Sequence, residues 1–212
     1  MRIYAVADIH GKLNRLGRIK RNIAAFRPHV LVAAGDITNY LSPNRTLRRI
    51  DALPIPVFAI RGNTDFKKVD HLIDQFQNIT SLHISRVISR SIPFVGVGGT
   101  IPLPFHSKVH LNEASVFSRL VPWMTRETIL VVHPPPRGIL DLAFGRFHVG
   151  SSGLRRFIET HQPRMVICGH VHECPGIATI GETTVVNCSM GRNNSGVLID
   201  HNPENEIRIT MI

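Results

Sequence analysis

The stretch IRGNTD, residues 60–65, closes an apolar run with Gly62, Asn63, Thr64 and Asp65. Glycine, asparagine and aspartate commonly connect a strand to a helix. On this interpretation Gly62 gives the backbone freedom to turn, and Asp65 belongs to the first turn of the following helix, where an acid is favoured. The four residues alone do not decide whether Asn63 is only a turn residue or is directed at a ligand, and the rest of the chain is needed for that.

Apolar runs and helical patterns alternate in the N-terminal half, which predicts βαβ units with parallel strands. The predicted strands there span 3–7, 30–34 and 57–60, and the predicted helices begin at residue 12, span 43–53 and lie within 66–76. The second half has more strand-like runs, from residue 86 onward, with helices predicted over 112–120 and 151–161. This distribution predicts an α/β fold in which a second sheet packs on the first, within a single domain over residues 1–212.

Two stretches fit neither pattern: TIPLPFHSKVH, residues 100–110, and HPPPRGILDLAFGRFHVGS, residues 133–151. Their prolines, glycines and isolated aromatic residues are typical of long ordered loops, which often surround active sites. The alternative is that these stretches only close the edge of the sheets.

The charge balance favours an anionic partner. Twenty-five Lys and Arg residues against 15 Asp and Glu give a net charge of +10, which suits a phosphorylated small molecule, a nucleic acid or an anionic surface. Part of the excess forms a stripe of Lys12, Arg15, Arg18 and Arg21 on the first helix. We interpret this stripe as a solvated helix face, because no aromatic side chain interrupts it to stack on bases. Nucleic acid is therefore weakly supported.

The sequence also bears on compartment and assembly. No window approaches 18 uninterrupted apolar residues, and the N-terminus lacks the pattern of a signal peptide, so we expect a cytoplasmic protein without a membrane partner. Three cysteines, Cys168, Cys174 and Cys188, are expected to be reduced thiols. The oligomeric state stays open, with a homodimer as one alternative.

Side chains that can bind metals follow five of the strand-like runs. Because the carboxyl ends of neighbouring strands share one edge, we expect these side chains to converge there. Two carboxylates, one amide and four imidazoles suit Mn, Fe, Zn, Co or Ni better than Ca. If one carboxylate bridges, they supply about four ligands to each of two ions about 3.5–4 Å apart. The seven residues are Asp8, His10, Asp36, Asn63, His133, His170 and His172.

These residues lie in five blocks whose order resembles the calcineurin-like metallophosphoesterase superfamily. The blocks are DIH (8–10), GD (35–36), GNTD (62–65), H (133) and GHVH (169–172). The resemblance extends from residue 2 to about residue 190. Residues 133–141 and 148–173 are also similar to small cytoplasmic phosphoesterases related to the metallophosphoesterase-domain proteins. The resemblance to the superfamily implies a four-layer α/β/β/α sandwich of two mixed sheets, which forms a single metallophosphoesterase domain.

The resemblance also implies roles for the residues. A hydroxide shared by two divalent ions would attack phosphorus in a phosphorylated small-molecule substrate, and the neighbouring donors would stabilise the developing charge. The catalytic positions would be Asp36, Asn63, Thr64 and His133. The first ion would be held by Asp8, His10 and His172, the second by Asn63, His133 and His170, with Asp36 bridging both.

Thr64 departs from the family pattern, in which this position is a histidine that binds the phosphate and protonates the leaving oxygen. A threonine hydroxyl cannot act as a general acid near neutral pH, and the loss of such an acid costs about 10² to 10⁴ in rate. One consequence is a substrate with a good leaving group, which favours phosphodiesters such as a cyclic nucleotide over phosphomonoesters. Another is a substitute acid, with His106 and His148 as candidates; the alternative is that both are ordinary surface histidines. A third is a metal-stabilised interaction module without rapid turnover.

Overall fold

The apolar runs form two six-stranded sheets in a computed structural model that describes residues 1–99, 113–202 and 207–212. In chain order the strands are β1 (Arg2–Val6), β2 (Val30–Ala34), β3 (Val57–Ile60), β4 (Ile79–Ser81), β5 (Ser85–Ser89), β6 (Ile92–Val97), β7 (Ile129–Val132), β8 (Leu142–Ala143), β9 (Phe147–His148), β10 (Met165–Cys168), β11 (Gly176–Ile180), β12 (Thr183–Asn187), β13 (Val197–His201) and β14 (Ile207–Met211). The helices are α1 (Leu13–Phe26), α2 (Pro43–Asp51), α3 (Lys68–Ile73), α4 (Glu113–Ser118) and α5 (Ser152–His161), with a 3₁₀ turn over Val121–Trp123.

Both sheets are mixed, as predicted. The first has the order β14-β13-β1-β2-β3-β4, with β1 to β4 parallel and β13 and β14 antiparallel. The second has the order β11-β12-β10-β7-β6-β5, with antiparallel strands at its two edges. The five strands that precede the candidate ligands are neighbours: β1, β2 and β3 in the first sheet, and β7 and β10 in the second.

Alternation of side chains along the strands produces the layers. Ile3 and Ala5 of β1 point into an apolar layer between the sheets, where residues such as Ile129 and Met165 of the second sheet meet them. Tyr4 of β1 faces the other way, into a second cluster that buries the apolar sides of α1, α2 and α3. A third cluster packs α4 and α5 on the second sheet. The predicted four-layer α/β/β/α sandwich is therefore confirmed.

Several element boundaries differ from the sequence predictions. The helix predicted over 43–53 ends at Asp51, and the run from residue 86 is a hairpin of β5 and β6 that turns at Arg90 and Ser91, both with positive φ. Strands β4 and β11 were not predicted, because each is short or carries exposed positions that dilute its apolar pattern. Residues 133–151 are not wholly irregular, since β8 and β9 pair there. Residues 100–110, including His106, lie outside the described part of the chain.

The described helices are also informative about membranes. Among the residues that the structure describes, none of the helices combines the length and the apolar character of a membrane span. The longest of them, α1, has 14 residues, whereas a span needs about 20.

The carboxylate of Asp65 ties together the loops that follow β2 and β3. It accepts hydrogen bonds from the backbone N–H groups of Ile37 (3.0 Å), Thr38 (2.8 Å) and Gly62 (2.9 Å), and from the Thr38 hydroxyl (2.7 Å). The expectation that Asp65 lies in the first turn of a helix is therefore wrong, because α3 begins only at Lys68. Asp65 instead satisfies buried donors of two loops at once.

Gly62 is required for space. A Cβ atom at this position would lie 2.1 Å from Asp36 Oδ1 and 2.4 Å from the Asp36 nitrogen. The expectation that Gly62 supplies turn freedom is not supported, because its φ is not among the positive values. The absence of a side chain lets the loop after β3 approach the loop after β2.

We predict that Asp65→Ala lowers the free energy of unfolding by about 3 kcal/mol, because buried donors lose a charged acceptor. Urea denaturation measures the change. Asp74→Ala is the matched control, since Asp74 is exposed at the end of α3. Equal effects of the two substitutions would contradict the role given to Asp65.

We also predict that Gly62→Ala destabilises the protein by about 1–3 kcal/mol, because the new methyl group overlaps Asp36. Gly17→Ala is the control: its Cβ would meet only Arg21 Nη1 at 3.7 Å, inside α1. There the same substitution should stabilise by up to about 1 kcal/mol. Thermal unfolding of both variants checks the opposite signs, and a stabilised Gly62→Ala variant would refute the steric argument.

Candidate metal centre

The first group of predicted ligands comes from the ends of β1 and β10. Single ligand atoms of Asp8, His10 and His172 all lie within 4.8 Å of one another. His172 Nε2 is 3.1 Å from Asp8 Oδ1, and the rings of His10 and His172 meet edge to face at 5.6 Å. The backbone N–H of His170 donates to the other Asp8 oxygen at 3.1 Å, which fixes the carboxylate between two strand ends.

The second group surrounds the amide of Asn63. Its Oδ1 lies 2.9 Å from His133 Nε2 and 2.9 Å from His170 Nδ1. The two imidazole rings stand edge to face with centroids 5.1 Å apart. Three donor atoms from three different strand ends thus converge on one point. Asn63 is more than a turn residue, because its side chain is directed at two histidines.

Asp36 lies between the two groups. Its Oδ1 is 3.5 Å from His133 Nε2, and its Oδ2 is 3.9 Å from His10 Nε2. Asp8, Asp36 and His133 also form a cluster within 4.8 Å, so Asp8 approaches both groups. The structure therefore brings all seven predicted residues to one edge of the two sheets.

Four of these residues have a left-handed backbone, which the sequence analysis did not anticipate. The φ angles are 61° at Asp8, 51° at His10, 51° at Asp36 and 71° at His170. Asp and His adopt this region more readily than most residues, but it still costs about 1–3 kcal/mol in each case. Backbone hydrogen bonds between the loops oppose this cost: Asp8 N–H donates to Gly35 O (3.0 Å) and His10 N–H to Asp36 O (2.8 Å).

The two carboxylates are buried and charged. Burial favours the neutral acids, but the neighbouring imidazoles outweigh it and hold the pKa of Asp8 and the pKa of Asp36 below their usual values. Asp8 Oδ1 has no assigned hydrogen-bond donor among the described residues, although His172 Nε2 lies 3.1 Å from it. A buried, negatively charged oxygen without a donor suits a cation.

Three of the four histidines place a ring nitrogen near a carboxylate, and the fourth, His170, places Nδ1 near the amide oxygen of Asn63. His133 Nδ1 lies 2.9 Å from the carbonyl oxygen of Ala34, so this nitrogen carries a proton and Nε2 faces Asn63 and Asp36. Burial acts to lower the pKa of His133, but Asp36 outweighs it and raises the pKa to about 9. Burial and the adjacent His133 lower the pKa of His170 to about 4. The nitrogen and oxygen donors fit divalent ions of the Mn to Zn series.

Thr64 contacts two of the predicted ligands, Asp36 and His10, but its hydroxyl is not an acidic group. Its backbone N–H donates to Asp36 Oδ1 at 2.8 Å, and its hydroxyl lies 3.3 Å from His10 Nδ1. The side chain thus supports a predicted ligand. The candidate substitute acid His148 pairs with buried Asp141 at 2.7 Å on the β8–β9 hairpin.

Sequence reasoning missed Arg15. Its guanidinium donates to the backbone oxygen of Asp8, and the side chain is half-buried, so the interpretation of Arg15 as part of a solvated stripe is wrong. Arg18 likewise donates to the carbonyl oxygen of Gly191 at 2.8 Å. The sequence does contain an indication of this contact, because Arg15 lies in the first turn of the helix that follows Asp8 and His10.

Comparisons with known proteins agree with this arrangement. A model of the calcineurin-like phosphoesterase family matches residues 1–174. The protein MJ1162 of Methanocaldococcus jannaschii is 33% identical over 201 residues, 89% of this chain and 88% of that protein. Human metallophosphoesterase domain-containing protein 1 is 39% identical over 64 residues, 29% of this chain and 20% of the human protein. The solved structure of an archaeal phosphodiesterase covers 100% of both chains with a TM-score of 0.60 and 15% identity, which shows the fold alone.

The family match includes all five blocks that carry the converging side chains, the last of them at residues 169–172. The fold, the shared edge of the sheets and the nitrogen and oxygen donors agree with it. The chain therefore belongs to the calcineurin-like phosphoesterase family, whose members use divalent metal ions.

Proposed function

We propose that this protein is a dinuclear metal-dependent phosphoesterase that prefers phosphodiesters. The observation that carries the proposal is the position of Asp36, with one carboxylate oxygen toward His133 and the other toward His10. A carboxylate between two groups of nitrogen and oxygen donors is what a pair of ions requires. Asp8, His10 and His172 would hold the first ion and Asn63, His133 and His170 the second, with Asp36 shared between them.

The residues of the chain prepare the site for an anionic substrate. When bound, two divalent ions supply Lewis acidity and a water of lowered pKa. Asn63 and His170 hold one side of the site at hydrogen-bond distance from each other, and His133 is fixed by the Ala34 carbonyl. Asp8 and Asp36, both with a left-handed backbone, place their carboxylates 3.1 Å from His172 and 3.5 Å from His133, respectively. This preorganisation avoids a reorganisation cost when charge develops on the phosphoryl oxygens.

Thr64 carries the argument for phosphodiesters. Its hydroxyl lies beside His10 and lacks the acidity to protonate a leaving oxygen. A substrate with a poor leaving group suffers most from this loss. We therefore infer that the substrate is a small phosphodiester whose leaving group needs little protonation, as in an activated diester or a cyclic nucleotide. Mn, Fe or Zn would occupy the site, with Co or Ni as substitutes.

The catalytic proposal predicts metal-dependent turnover. Protein stripped with EDTA should regain hydrolysis of bis-p-nitrophenyl phosphate when Mn is added back, and kcat/KM should exceed that for p-nitrophenyl phosphate. Asp36→Ala and His170→Ala should lower kcat at least about 100-fold, because each removes a ligand. His71→Ala, at an exposed histidine on α3, is the control.

Three outcomes separate the alternatives. A higher rate with the monoester would identify a phosphomonoesterase of the same fold. No turnover of either substrate with any of the five metals would reject the enzyme and leave a metal-stabilised interaction module. Elemental analysis of the bound metal checks the stoichiometry, which should be two ions per chain in the unsubstituted protein and fewer in His170→Ala.

Replacement of Thr64 tests the missing acid directly. We predict that Thr64→His raises kcat/KM for a methyl phenyl phosphodiester about tenfold more than for methyl p-nitrophenyl phosphate, because protonation helps the more basic leaving group. Thr64→Ser keeps a hydroxyl near His10 and serves as the control. An equal change with both substrates would show that residue 64 acts on packing or on His10 instead.

A further inference from the structure

Two exposed aromatic rings stand beside the candidate metal centre. Tyr40 and Phe66 keep 60% and 44% of their surface exposed, and their rings meet edge to face with centroids 5.3 Å apart. Next to them, Leu41 is 95% exposed. Neither ring belongs to the three buried clusters. The pair therefore contributes little to the core and is available to a ligand.

The loops that carry the rings are the same loops that carry the predicted ligands. Tyr40 follows Asp36 by four residues, and Phe66 follows Thr64 by two. Because each residue spans at most about 3.6 Å, the Cα atoms of Thr64 and Phe66 are within about 7 Å. Asp65 holds both loops together. The aromatic pair is thus carried by the two loops that also carry Asp36 and Asn63.

A cationic groove continues from the aromatic pair. Its volume is about 560 Å³, and its lining includes Leu41, Arg45, Arg48 and Lys68. No carboxylate is among the described residues that line it. The Lys68 ammonium lies 5.4 Å from the centre of the Phe66 ring, so the groove and the aromatic pair are contiguous. Such a groove is complementary to a second phosphate.

We propose that this surface binds a nucleotide unit of a phosphodiester substrate whose leaving group lies on the other side of the scissile phosphate. The base stacks on the Tyr40–Phe66 pair, and the neighbouring phosphate pairs with Arg45, Arg48 and Lys68. Aromatic rings interleaved with cations are the recognition pattern for single-stranded nucleic acid. The α1 stripe lacks such an aromatic pair, which forms here where the two loops meet. The inference rests on the proposed phosphoesterase function for its catalytic part.

A binding experiment tests the surface without catalysis. The 5′-phosphorylated thymidine dinucleotide is titrated by calorimetry into EDTA-treated protein. Tyr40→Ala and Phe66→Ala should each weaken binding about fivefold or more, since stacking contributes about 1–3 kcal/mol per base. Arg48→Ala should reduce the dependence of log affinity on log salt concentration by about 0.7.

Phe147→Ala is the matched control. Phe147 is also exposed and has a cation, Arg146, 5.6 Å from its ring, but it lies on the β8–β9 hairpin. Its loss should leave dinucleotide affinity unchanged. Equal losses in the control and in Tyr40→Ala would overturn the proposal. So would unchanged affinity in Tyr40→Ala and Phe66→Ala, or a surface that binds anionic phosphatidylserine vesicles and no dinucleotide.

Two chromogenic substrates then separate this inference from the proposed function. Thymidine 5′-p-nitrophenyl phosphate and methyl p-nitrophenyl phosphate share a leaving group and a charge and differ in the nucleoside. With Mn present, Tyr40→Ala should raise KM about fivefold for the nucleoside substrate and leave KM for the methyl substrate unchanged. Equal KM values for both substrates in the unsubstituted enzyme would overturn the subsite. Turnover of neither substrate, with dinucleotide binding intact, would reject the phosphoesterase function and retain the surface.

Discussion

Hydrogen bonds to the buried carboxylate of Asp65 fix the relation between the loops after β2 and β3. Three backbone N–H groups and one hydroxyl, from two loops, share this acceptor. The same loops carry Asp36 and Asn63, and the tight approach at Gly62 leaves no room for a side chain between them. The geometry of the candidate centre therefore depends on a residue that does not itself face the metal ligands.

The site also depends on two carboxylates that the fold buries. Asp8 and Asp36 are buried, and their charged forms persist because imidazoles surround them. Asp36 lies 3.5 Å from His133 Nε2 and raises the pKa of that imidazole against the effect of burial. A divalent ion held by these residues would displace the proton from that imidazole, so metal binding and protonation would compete at the same atoms. The left-handed backbone at four of these positions is a local cost that the surrounding hydrogen bonds offset.

Thr64 distinguishes this chain from the family pattern, which has a histidine at this position. The hydroxyl contacts His10, so the position retains a structural connection to the site while it lacks an ionisable group. The aromatic pair of Tyr40 and Phe66 lies on the same two loops, beside a groove lined by cations. In the function that we propose, Thr64 restricts the leaving group and the aromatic pair contacts the base of the substrate.

The sequence by itself determined the fold class, the two sheets and all seven converging side chains. It could do so because strand periodicity is local and the ligands directly follow buried runs such as β1 and β10. Strands β4 and β11 were not predicted, because β4 has only three residues and β11 carries exposed positions. Only the tertiary structure decided the roles of Asp65, Gly62 and Arg15, and the pairing of Tyr40 with Phe66. Each of these depends on atoms from separate loops brought within contact distance, and no local pattern encodes such an approach.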